Sequence, residues 1–84
     1  MKIDVLGEIK MIITHGITPP KDLLISTTLY LSTGESVEFD FSSEGSAALA
    51  AARQKIYRYT KAAGLRVDTI SRDNRLIVTM VGTR

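Results

Sequence analysis

His15 is the only histidine in the chain, and it lies between Thr14 and Gly16, shortly before Pro19-Pro20. Nucleophilic catalysis of the Ser-His-Asp kind needs an imidazole held by a buried carboxylate and set beside a nucleophile on a strained turn. No serine is marked out in that way, so His15 reads as a solvated loop residue. Paired carboxylates are the other route to acid–base work. Glu38 and Asp40 lie two apart on the polar face of an expected strand, and Asp4 and Glu8 share the outward face of another. Such pairs divide the roles of acid and base only where their surroundings push their pKa values apart, and open polar faces do not. One histidine and no cysteine leave no usual ligand set for a transition metal. Nothing resembles a calcium loop. The six glycines are scattered, and only Gly45, placed in the first turn of an expected helix, offers a weak anion site. The expectation is a non-enzymatic protein with no metal and no cofactor.

Cations carry more pattern. Arg53, Tyr57 and Lys61 are spaced i, i+4, i+8, which sets them in a row along one face of a helix. Lys55 and Arg58 flank that row, and Arg66, Arg72 and Arg75 continue the positive charge into the following hairpin. A row of cations matches phosphates, and Tyr57 adds either a stacking ring or a phosphate hydrogen bond. The hairpin tip Arg72-Asp73-Asn74-Arg75 has the form of a ribbon that enters a groove. A solvated helix face is also often rich in lysine and arginine, and no helix-turn-helix, zinc-finger or RNA-recognition signature is present.

Formal net charge is only +2, but it is unevenly spread. Residues 1–42 hold three cations against six acids, and residues 43–84 hold eight cations against three acids. One basic side is therefore expected, suited to DNA, RNA or an acidic protein partner. Eighty-four residues make a single domain, 1–84, with a small core and no cysteine to staple it. Help from a second copy or a protein partner is expected. No apolar run approaches a membrane span, and Met1-Lys2-Ile3-Asp4 lacks the features of a secretory signal, so the expected location is the cytoplasm.

The elements that must position these residues follow from period. Alternation from Ile3 to Ile13 predicts a first strand, Leu23 to Leu31 a second, and Val37 to Phe41 a third. Parity favours a three- to five-residue loop joining the second and third as a hairpin, with Leu31 opposite Val37. A helix then runs from a Ser42 or Ser43 cap to Gly64, with Leu49, Ala52, Ile56, Tyr59 and Ala63 on its buried face. Leu65–Ser71 and Arg75–Val81 complete the chain as strands around an Asp73-Asn74 turn. The predicted fold is α+β: a mostly antiparallel five-stranded sheet with one helix on one face, order βββαββ. One helix cannot cover five strands, so an open apolar sheet face is expected to favour self-association or a protein partner.

Overall fold

The computed structural model describes Ile9, Ile13 and residues 17–83. Its sheet has three strands, not five: β1 (Ser36–Asp40), β2 (Leu65–Arg72) and β3 (Arg75–Thr83), in the spatial order β1-β3-β2, antiparallel throughout. Two helices are named here α1 (Leu24–Leu29) and α2 (Ser46–Ala62), and a 3-10 turn at Lys21–Leu23 leads into α1. The expected order βββαββ and the single-helix layer are therefore overturned. Most of the first expected strand lies outside the described residues, and the two of its positions that are described, Ile9 and Ile13, are helical.

The second expected strand is α1. Its apolar run, Leu23 to Leu31, satisfies two periods at once. Read at spacing two it gives Leu23, Ile25, Thr27 and Leu29; read at helical spacing it gives Leu24, Thr27, Thr28 and Leu31, and these four are the buried ones. A short, nearly continuous apolar run cannot separate strand from helix by periodicity alone. Local geometry leans helical because Pro20 accepts the Leu23 amide and closes the first turn. The predicted hairpin with Leu31 opposite Val37 is absent. Instead Val37 pairs with Val78 and Phe39 with Leu76, so β1 takes its partner from the far end of the chain. Residues 32–35 form the turn into β1, and Met80 clasps them through Gly34 and Glu35.

The second hairpin matches its sequence. Asp73 and Asn74 both have positive φ, 51° and 58°, so the two-residue turn twists with its strands. The pairing runs from Arg72 opposite Arg75 to Leu65 opposite Thr83, with one irregularity where Val81 is left over between Gly82 and Met80. Gly64 ends α2 as expected: at φ 73° it turns the chain, and its amide returns to the Lys61 carbonyl. The start differs. Ser42 and Ser43 do not cap α2; Gly45 occupies that place at φ 92°, with no side-chain cap. The preceding residues are otherwise engaged, because the Ser42 amide donates to Asp40 and the Ser43 hydroxyl to Glu44.

The core lies between the sheet and the helices. Val37, Phe39, Val67, Leu76, Val78 and Met80 from the sheet meet Leu24, Leu31, Leu49, Ala52 and Ile56. α2 packs chiefly on β2, and α1 fills in beside α2 and β1. Thr60, not Tyr59 or Ala63, completes the inner face of α2. Its hydroxyl is satisfied by the Ile56 carbonyl four residues back, which lets a polar side chain be buried there.

Candidate nucleic-acid interface

α2 carries Arg53, Lys55, Arg58 and Lys61 and no acidic residue between Ser46 and Ala62. Cations three apart on a helix repel by about 0.2–0.5 kcal/mol per pair. Lys55 and Arg58, and Arg58 and Lys61, stand in that relation with no acid on the helix to relieve them. Among the described residues, Arg53, Lys55, Arg58, Lys61, Arg66 and Arg72 are exposed and make no ion pair.

Two hydrogen bonds fix how this helix lies on the sheet. The Arg53 guanidinium donates to the Ser71 hydroxyl at 3.4 Å, and the Tyr57 and Thr69 hydroxyls bond at 2.9 Å. Four residues of helix advance about 6 Å, and two residues of strand about 6.7 Å. The helix row and the strand positions therefore stay in step while running in opposite directions. Each four-residue step also turns the row by about 40° around the helix axis, so Lys61 stands further from the sheet than Arg53. The row Arg53–Tyr57–Lys61 runs alongside β2, which is an edge strand of the described sheet. It lies on the shoulder of α2 and not on the side opposite the core.

The remaining predicted residues are dispersed. At 100° per residue, Arg58 stands on the solvent crest of α2, and Lys55 falls towards the far flank. On β2, Leu65, Val67, Thr69 and Ser71 alternate with Arg66, Asp68, Ile70 and Arg72, so Arg66 and Arg72 project from the outer face of the sheet. Arg75 is on that outer face too, opposite both Asp40 and Arg72, and it pairs with Glu38 at 3.5 Å. The helix row and the hairpin arginines therefore occupy opposite faces of one strand and do not merge into a single patch.

Tyr59, expected on the buried face of the helix, is instead 47% exposed and borders a shallow depression of about 230 Å³ with Arg58 and Ala62. Its signal in the sequence is the alternating Tyr57-Arg58-Tyr59, an aromatic–cation interleaving that the helical spacing of apolar positions obscures. Among the described residues, no group of three or more histidine, cysteine or acidic side chains comes together to hold a metal ion. No helix among them is long and apolar enough to cross a membrane.

At the opposite end of the molecule, Lys21 has an acidic partner. Lys21 Nζ pairs with the Glu44 carboxylate, donates to the Asp40 carbonyl at 3.0 Å and lies 5.7 Å from the centre of the Phe41 ring. The hydrogen bond from Lys21, reinforced by the Ser43 hydroxyl, holds the Glu44 carboxyl below its ordinary range. Hydrogen bonds from the Ser42 side chain and amide do the same for Asp40. These contacts tie the 3-10 turn to the loop before α2.

No family model, curated protein or solved structure matches the chain. The class of protein that fold and site define is a small α+β domain bearing an acid-free cationic helix.

Proposed function

We propose that this protein is a small non-enzymatic nucleic-acid-binding or regulatory protein that engages DNA or RNA through the exposed face of α2. The observation that carries the reading is the row Arg53–Tyr57–Lys61, whose first two members bond Ser71 and Thr69 of β2 and which has no acidic neighbour on its helix. A soluble protein that needed charge only for solubility would intersperse both signs. Arg58 and Lys55 extend the field around the helix, while Arg66 and Arg72 stand on the other face of β2, apart from the row. Arg75 contributes less, since Glu38 already pairs with it. Binding would be electrostatic first and steeply salt-dependent. The cytoplasm is the compartment in which we place this role.

The test is to replace Arg53, Arg58 and Lys61 by glutamine and measure single-strand and duplex binding at low salt by fluorescence anisotropy. Loss of most of the affinity with the fold intact supports the reading; unchanged binding, or none in the parent, removes it. A second reading, a protein-interaction or homodimer surface, rests on Ile70. This side chain is 59% exposed on the outer sheet face, directly opposite Ile77 and between Asp68 and Arg72. It predicts a particle heavier than 9.2 kDa by light scattering, reduced to that mass by Ile70→Glu.

A further inference from the structure

Tyr57 stands at the centre of the cationic row, one helical turn from Arg53 on one side and from Lys61 on the other. A tyrosine in such a place has two things to offer a nucleic acid: a hydroxyl for a phosphate, or a ring face for a base. The Tyr57 hydroxyl shares a hydrogen bond with the Thr69 hydroxyl at 2.9 Å, in which either oxygen can donate. That bond also ties the ring to a rigid strand, so the orientation of the ring is set before any ligand arrives. The residue nevertheless remains 41% exposed. With the hydroxyl bonded towards the strand, the ring is the larger group that Tyr57 offers a ligand.

A ring face between two cations has no counterpart in a duplex, whose bases are stacked and paired inside the phosphate rails. An unpaired strand has both parts: phosphates for the cations on either side and a free base for the ring. Gln54, exposed and three residues before Tyr57, places an amide beside that position, where it can reach a base edge. Arg58, on the crest, supplies a further cation next to it. We infer that the ligand of the α2 row is single-stranded nucleic acid, with Tyr57 as a pre-oriented stacking platform and Arg53 and Lys61 as its flanking phosphate contacts. This rests on the nucleic-acid reading above and specifies which form is bound.

The experiment compares Tyr57→Leu, Tyr57→Phe and the parent against a 20-mer oligothymidylate, a duplex of equal length and heparin. Far-ultraviolet circular dichroism confirms that each protein is folded. In the parent, the single strand binds more tightly than the duplex. Tyr57→Leu weakens oligothymidylate binding at least about fivefold, the lower end of what one base–aromatic stack contributes. It leaves heparin, a polyanion without bases, within about twofold, because the cations that supply the electrostatic attraction are intact. Tyr57→Phe keeps the ring and stays within about threefold of the parent, since one neutral hydrogen bond contributes little net free energy. Should Tyr57→Leu itself unfold, Tyr57→Phe and Arg53→Gln/Lys61→Gln carry the test. A parent that prefers the duplex, or a Tyr57→Leu loss equal on all three ligands, overturns the stacking assignment while the nucleic-acid reading stands. A parent that binds heparin but neither nucleic acid overturns both.

Discussion

The β1 side and the β2 side of the molecule treat charge in opposite ways. Beside β1, Lys21 is paired with Glu44 and Arg75 with Glu38, and Asp40 accepts hydrogen bonds from Ser42. Beside β2, Arg53, Lys61, Arg66 and Arg72 make no ion pair among the described residues, and the helix that supplies the first two has no acid at all. Satisfied charge is what an architectural clasp requires, and it fastens the loop before α2. The α2 cations carry like-charge repulsion along the helix, and among them Arg53 returns a hydrogen bond to the sheet. That difference sets the cations of the β1 clasp apart from those of α2 more clearly than the number of cations does.

The two sides share one base, and breaking it should abolish the contrast between them. Phe39, fully buried at the centre of β1, supports both. Phe39→Ala should cost about 3–5 kcal/mol, much of the stability of a chain this size, and abolish binding by unfolding. Urea denaturation followed by circular dichroism checks it.

The next effect should be confined to the β2 side. Replacing Arg53, Arg58 and Lys61 by glutamine should reduce the slope of log affinity against log salt by about 2 for a single strand, at roughly 0.7 for each phosphate left without its cation. Stability should stay within about 0.5 kcal/mol of the parent, as for surface substitutions generally, or rise where repulsion is relieved. A fall in melting temperature without a change in binding would invert the assignment.

A smaller effect tests the core between the two sides. Among the described residues the buried Thr27 hydroxyl has no hydrogen-bond partner, while Thr28 in the same turn donates to the Leu24 carbonyl. The carbonyl four residues before Thr27 belongs to Leu23, which lies in the 3-10 turn and not in the α-helix. Thr27→Val keeps the shape and removes the stranded group, so it should stabilise by about 1 kcal/mol. Thr28→Val should not. Thermal melts of the two variants decide it.

The smallest effects belong to the β1 clasp. Lys21→Gln should lower the melting temperature by no more than a few degrees, because the pair is partly exposed, and leave nucleic-acid binding unchanged. Asp40 and Glu44 are both held below their ordinary range when folded. Their contribution is therefore present above the unfolded carboxylate range and is lost as pH falls through and below about 4. Lys21→Gln should flatten the acid limb of a melting-temperature profile where Glu44 is responsible. An unchanged limb would assign it to Asp40.

Much of the second half of the chain was legible. Asp73-Asn74 demanded a two-residue turn because both residues tolerate positive φ, and Gly64 demanded a helix end for the same backbone reason. Arg53, Tyr57 and Lys61 had to share a row because helical spacing is covalent geometry. The first half misled for equally physical reasons. From Leu23 to Leu31 two periods fit at once, and burial of Leu24, Thr27, Thr28 and Leu31 against the core selected the helix. β1 shows its alternation in the sequence but not its partner, since pairing Val37 with Val78 joins residues more than forty apart.

The sequence by itself determined the local features: the second hairpin, the end of α2, and the cationic row without acids. Each follows from backbone freedom or side-chain spacing within a few residues. Tertiary packing alone decided the rest. Whether residues 24–29 coil or extend, which strand β1 joins, and which cations find acids are settled only when distant surfaces compete for the same core. That packing put Arg53 and Tyr57 in step with Ser71 and Thr69, left Arg66 and Arg72 on the other face of β2, and turned a spacing in the sequence into an aligned surface.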